Sequence, residues 1–314
     1  MWGNRIGWII AVVLAALILA PVGWLVQAGR MSPPSGIGRE ATNLEPIALP
    51  ISPDDAWPLF SDDGDAAPLY AKAIDAWDSN AADDYVRSPH GAPPASLRLL
   101  LDARHMRGMN LFAANPTDLV NYDSDHPRLE TLFAAGQAEY QAGLALLQEG
   151  NAADGEACLA AAFALGRQLY NERVVFDEYQ KGTQLMADSA TAMLPGLERG
   201  SERWNKLEAF CRKMDEYQSQ RIVPVWQVIS SVDQDVIAQS AGDVAAFALN
   251  SRERMWRVEA ALKLGRNRYD AGSPGDQIGA ARLLARLADD PDPFVAAAAH
   301  CALDLSVENY RMIH

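Results

Sequence analysis

The chain is poor in cysteine, in basic residues and in the short motifs that mark catalytic centres. Its 314 residues hold three cysteines, Cys158, Cys211 and Cys301, far apart and without a CxxC pair. That argues against a disulfide framework, excludes a zinc knuckle of the CxxC kind and a thioredoxin-type redox pair, and predicts small apolar side chains inside helices, with one disulfide and a leftover thiol as the alternative. Lys and Arg total 27 against 41 Asp and Glu, a net charge of -14. Such a surface repels phosphate backbones, which argues against a nucleic-acid partner. Five histidines are present, none with a second His at a metal-binding spacing, and no GxSxG elbow, P-loop or dinucleotide fingerprint occurs. No metal or cofactor is expected. Gly36-Ile37-Gly38 has no strand before it, so it carries no nucleotide meaning. His300 lies in an alanine-rich stretch and reads as a core or hairpin-contact residue.

One long hydrophobic run is present. Ile6–Val26 carries no charge over 21 residues, which as a helix spans about 31 Å, the thickness of a bilayer core. Trp8 and Trp24 stand near its ends, where indole rings favour the headgroup level, and Pro21 is tolerated in such a helix. Residues 6–27 therefore read as a single transmembrane anchor behind a tail of residues 1–5, with the bilayer as a partner. A cleaved signal peptide ending at Val26–Ala28 is the alternative, although its apolar region would be unusually long. Arg5 and the amino terminus before the span, against Arg30 and Arg39 after it, balance nearly evenly. A short positive tail favours the N-in orientation. For a bacterial protein that places the chain in the inner membrane with its body in the periplasm, the cytoplasmic side remaining the other possibility.

Residues 28–64 are rich in proline (33, 34, 46, 50, 53 and 58) and form a stalk or a segment draped over the body. Ile47, Leu49, Ile51, Trp57, Leu59 and Phe60 favour draping for its second half. Residues 65–314 are expected to be α-helical. Asp65 is placed to cap a helix from Ala67, residues 95–114 continue as another, and Gly150, Gly200, Gly242 and Gly272 are natural stops. Tyr140, Leu144 and Leu147 share one helix face; Met255, Val258, Leu262 and Tyr269 share another, with Trp256, Ala260 and Leu264 beside them. No segment alternates with period two between turn residues, so no sheet is expected.

Two hairpins carry resemblances. In "LLARLADDPDPFVAAAAHCALDL" (283–305), Leu283, Leu284 and Leu287 line a first helix, Asp290 sits in the turn, Asp292 caps a second helix opening at Pro293, and Val295, Ala298, Ala302 and Leu303 line it. Residues 276–308 resemble a single HEAT-like unit, departing from it at Ala296, where such repeats usually carry an arginine. Residues 138–169, with Ala157, Ala161, Ala164 and Leu165, are similar to a tetratricopeptide pair, with a longer turn and without the Trp-Leu-Gly signature. The order of anchor, stalk and Ala/Leu-rich body after "DDGDAAPLYAKAI" resembles uncharacterised single-span helical proteins of planctomycete-like bacteria. These resemblances imply an all-α fold: one transmembrane helix, a proline-rich linker and a soluble body of stacked antiparallel hairpins, a TPR/HEAT-like solenoid.

Candidate functional residues are few. Asn121, Asp123 and Asp125 alternate like the first half of a calcium loop, but His126 stands where Gly is needed and Leu132 where the bidentate Glu belongs. The simpler expectation is that Asp125 caps a helix from Pro127. Glu172 with Asp177 and Glu178 is a carboxylate group suited to acid/base work on a glycan, or to a solvated helix face. Most of the tryptophans, Trp204, Trp226 and Trp256 among them, are expected in the core; the alternative is that Trp226, Arg252, Arg254, Trp256 and Arg257 form a protein-docking surface in an acidic chain, although a solvated helix face carries the same arginines. The favoured function is a membrane-anchored, non-catalytic scaffold or accessory subunit for another membrane or envelope protein. The alternative is a periplasmic hydrolase or ligand-binding protein using carboxylates in an inter-helix cleft.

Overall fold

The computed structural model describes residues 49–113, 115–120, 126–222, 226, 244–245, 248–270 and 274–304. The anchor at 6–27 with Trp8, Pro21 and Trp24, and the Asn121, Asp123 and Asp125 triplet, lie outside them. Gly242 and Gly272 do too. Among the described residues no helix is long and apolar enough to cross a membrane.

The body is mostly helical. A single turn α1 (Pro53–Ala56) leads to strand β1 (Asp62–Asp65), then α2 (Ala67–Asp75), α3 (Ser79–Arg87), α4 (Ala95–Ala103) and strand β2 (Met106–Gly108). A 3-10 turn at Pro116–Asp118 precedes the long helices α5 (Pro127–Gln148), α6 (Ala152–Glu172) and α7 (Phe176–Met193). After α8 (Glu202–Tyr217) and a π turn at Gln218–Ile222 come α9 (Arg254–Asp270), α10 (Pro274–Leu287) and α11 (Pro293–Asp304).

Helix α6 is the axis of the fold. From Cys158 to Tyr170 every residue is buried, as expected of a helix surrounded on all sides. It packs on α5, α7 and α4. Its glycines set the spacing: a Cβ on Gly166 would lie 2.6 Å from the carbonyl oxygen of Gly182 on α7, and one on Gly143 of α5 would lie 3.0 Å from that of Gly155. Only residues without a Cβ allow backbones this close. Gly150 and Gly200, at φ 84° and 85°, supply the left-handed conformation that stops α5 and precedes α8.

Several expectations need correction. A sheet exists: β1 and β2 pair in parallel. At three and four residues, and with the sequence Asp-Asp-Gly-Asp in β1, neither strand is long enough to display an alternating pattern. The helix expected over 95–114 stops at Ala103, because the following backbone is drawn onto β1; Ser61 and Asp62 both donate their N–H to the His105 carbonyl. On α5 the fully buried face is Leu132, Ala135, Gly136, Glu139, Ala142, Gly143 and Leu146, with Tyr140, Leu144 and Leu147 flanking it half-buried. The small residues win because α6 approaches too closely for large ones. Ala66, rather than Asp65, is the cap residue of α2, although the Asp65 carboxylate does accept the Ala67 N–H at 3.0 Å. His300 is exposed.

The second half of the proline-rich segment lies on the body. Leu49 and Trp57 are buried, Trp57 against Phe163 of α6 with ring centroids 5.1 Å apart. Arg167 of α6 fastens it, pairing with Asp54 at 3.0 Å and covering the Phe60 ring at 4.1 Å. At the other end, the hairpin α10–α11 forms as the local signals require: Asp292 accepts the Phe294 N–H at 3.0 Å and Pro293 opens α11. Leu283, Leu284, Leu287, Val295, Ala298 and Ala302 are buried.

Candidate functional site

The densest set of buried ionisable side chains lies where α6 ends, α7 begins and α9 arrives. Helix α6 stops at Glu172 before the β-branched pair Val174-Val175, which disfavours continued helix. Three N–H groups exposed by this break or by the neighbouring loop are taken up by carboxyls. Glu178, in the first turn of α7, reaches back to the Val174 N–H at 2.6 Å. Glu259 of α9 accepts the Phe176 N–H at 2.8 Å. Glu172 accepts the Phe112 N–H at 3.1 Å. Acidic groups at a helix N-terminus also answer the positive end of its dipole.

Two arginines complete the seam. Arg173 forks onto Glu253 at 3.0 and 3.3 Å, donates to the Tyr170 carbonyl at 2.8 Å and lies 4.8 Å above the Tyr170 ring. Arg254 donates to the Glu172 carbonyl and sits over the Phe294 ring at 4.8 Å. Arg257 bonds Asp290 at 2.7 Å, so α9 is tied to the turn of the C-terminal hairpin from its own face.

Burial dominates the acid chemistry. It pushes Glu172 up to about 7, against the pull of the Phe112 and Leu111 N–H groups and of Arg254. Glu178, fully buried and beside Glu172, is raised well above the carboxylate range by desolvation and by that neighbouring charge. Glu259 is raised to about 7, again chiefly by burial. Each of Glu172 and Glu178 spends one oxygen on a backbone N–H; the other, Oε2 of Glu172 and Oε1 of Glu178, is buried with no hydrogen-bond partner. A protonated acid tolerates that position far better than a carboxylate does.

A second buried acid stands alone. Glu139 of α5 is fully buried, and neither oxygen has an N–H or O–H partner. Its polar surroundings are the Cys158 thiol and, further off, Arg104. Desolvation raises it to about 8. Cys158 is itself pushed up by burial and by Glu139, which removes any thiolate character. All three cysteines are free, Cys158 buried, Cys211 and Cys301 partly so.

Four of the five docking residues anticipated from sequence, Trp226, Arg254, Trp256 and Arg257, lie at this seam and pack into it. Trp256 is wholly buried, and Trp226, partly buried, stacks on Phe176 at 4.0 Å and 5°. Arg254 and Arg257 are ion-paired with the Asp290 and Asp292 turn. Arg252 alone of the five is exposed. Of the carboxylates, Glu172 and Glu178 are brought together, whereas Asp177 pairs outward with Lys181 at 3.5 Å. Glu253 and Glu259 were missed, since no local signal links them to a helix end some 80 residues earlier. Among the described residues no group of three or more His, Cys, Asp or Glu side chains has a metal-holding arrangement.

Compared with known proteins, the chain matches no protein-family model, no curated protein and no solved structure.

Proposed function

We propose that the protein is a membrane-anchored scaffold or accessory subunit whose helical body binds another membrane or envelope protein without catalysing a reaction. The observation that carries this reading is how the buried charge is used. Glu172, Glu178 and Glu259 are each committed to a backbone N–H, and Arg173 to Glu253, so the polar centre holds helices in place. The pairs α5–α6 and α10–α11 support a body of stacked hairpins, the architecture that solenoid proteins use to present extended binding surfaces. The uncharged run Ile6–Val26 supports a single-pass anchor in a bacterial inner membrane with the body on the periplasmic side. The docking edge proposed for it includes Arg252, which is exposed.

Capture from native membranes in mild detergent through a C-terminal tag tests the reading. A stoichiometric partner, reduced on Arg252→Glu, is the expected result. Recovery of the chain alone in several detergents refutes it.

One observation favours a second reading, an envelope hydrolase: two neighbouring carboxylic acids, Glu172 and Glu178, with raised proton affinity. It requires cleavage of cell-wall glycan by the purified protein and its loss in Glu178→Gln.

A further inference from the structure

Among the described residues, α9–α11 pack chiefly on one another and meet the rest of the body through α7, the end of α6 and the 3-10 turn at Pro116–Asp118. At that joint Glu172 and Glu178 each keep one buried oxygen without a hydrogen-bond partner. Glu172 and Glu178 stand on the body side, and Glu259 reaches across from α9. We infer that this joint is an acid-locked hinge: α9–α11 are held on the body while Glu172, Glu178 and Glu259 carry protons, and are loosened when those carboxyls ionise.

The argument rests on what surrounds the three acids. Arg254 of α9 acts on Glu172 and Glu178, Asp65 of β1 on Glu172, and Asp177 of α7 and Arg266 of α9 on Glu259, while Arg173, Tyr170, Tyr179 and Glu253 form the next layer. Asp290 and Asp292 approach from the hairpin turn and engage Arg254 and Arg257. Arg173 is already matched by Glu253, and Arg254 is directed to a carbonyl and to Asp292. Ionising Glu172, Glu178 and Glu259 adds three negative charges to a buried joint that already holds Asp65, Asp177 and Glu253, and the pull of Arg254 and Arg266 on them is smaller than the cost of burial. Undocking restores water to the carboxyls, and so is favoured once they are charged.

The sign follows from linkage. Burial raises the closed-state affinity for protons, to about 7 for Glu172 and Glu259. An undocked carboxyl titrates in its ordinary range near 4.5. Docking is strongest below that range, and weakens as pH rises from there through about 7.

Hydrogen–deuterium exchange of the full chain, corrected for intrinsic exchange, tests this at pH 5 and pH 7. The expected result is a loss of protection of roughly tenfold or more in Phe112, in Phe176–Tyr179 and in α9, with α2 unchanged. In Glu172→Gln/Glu178→Gln that loss shrinks while α2 stays as before. If the double variant does not fold, Glu259→Gln alone must flatten the profile by part. Equal protection at the two pH values, or a loss shared uniformly by α2, overturns the hinge.

Discussion

Placing a methyl group at Gly166 probes the fold at its tightest point. Helices α6 and α7 form the most extensive helix pair in the body. A Cβ on Gly166 would lie 2.6 Å from the Gly182 carbonyl oxygen and 2.9 Å from both the Leu185 Cβ and the Met186 nitrogen; one on Gly182 would lie 2.7 Å from the Gly166 oxygen and 2.9 Å from the Tyr170 nitrogen. Most of these obstacles are backbone, so no rotamer change relieves them and the helices must part. Overpacking of this kind costs about 1–3 kcal/mol and sometimes more. Against it stands the gain of about 1 kcal/mol for Ala over Gly inside a helix. With most of the obstacles backbone, the clash falls at the upper end of that range and wins, and Gly166→Ala and Gly182→Ala should each destabilise by about 1–2 kcal/mol net. Gly279 of α10 is the counter-case: nothing lies within 4 Å of its added Cβ, so Gly279→Ala should stabilise by about 0.5–1 kcal/mol. Urea denaturation followed by tryptophan fluorescence, comparing midpoints at unchanged slope, reads both signs. Combined, Gly166→Ala and Gly182→Ala should cost less than the sum, since they open the same contact. If Gly166→Ala stabilises as Gly279→Ala does, the close approach of α6 and α7 is wrong.

Two further predictions concern buried charge. Arg173→Ala leaves Glu253 buried without its fork and should cost about 3–5 kcal/mol in the same denaturation experiment, while Arg173→Met with Glu253→Leu should cost much less; equal costs would show that the pair is not coupled. Glu139, held near 8, keeps its proton in the folded chain while the unfolded chain releases it. Its contribution is intact below the ordinary carboxylate range and is lost as pH rises from there to about 8, so Glu139→Gln should gain on the wild type by about 1.4 kcal/mol per pH unit across that window. A stability difference that stays flat between pH 5 and 8 would refute the buried assignment.

What could be read in the sequence is what a window of a few residues encodes. The helical class follows from Ala/Leu-rich runs; the stops at Gly150 and Gly200 follow from a conformation that glycine adopts without penalty. The start of α11 follows from Asp292 and Pro293, neighbours in the chain. Of the face expected from periodicity on α9, Met255 and Val258 are buried and Leu262 half-buried, with Trp256, Ala260 and Leu264 beside them buried too. Other features depended on segments meeting. Strands β1 and β2 are too short and polar to announce themselves, and exist because residues 61–66 and 105–108 satisfy one another's backbone. The apolar stripe Tyr140, Leu144 and Leu147 yielded the central position to Gly136, Glu139 and Gly143, since a close helix neighbour rewards small side chains over hydrophobic ones. Trp256 is in the core, as most of the tryptophans were expected to be, while the partners that hold it and Arg257 in place, Phe176 and the Asp290 turn, are set only by tertiary structure. Glu172, Glu178, Glu253 and Glu259 look in sequence like residues of solvated helix faces. Only tertiary structure brings them to one seam, because a charge can be buried only where the fold supplies its N–H or its counter-ion, and for Glu253 that partner, Arg173, lies 80 residues away.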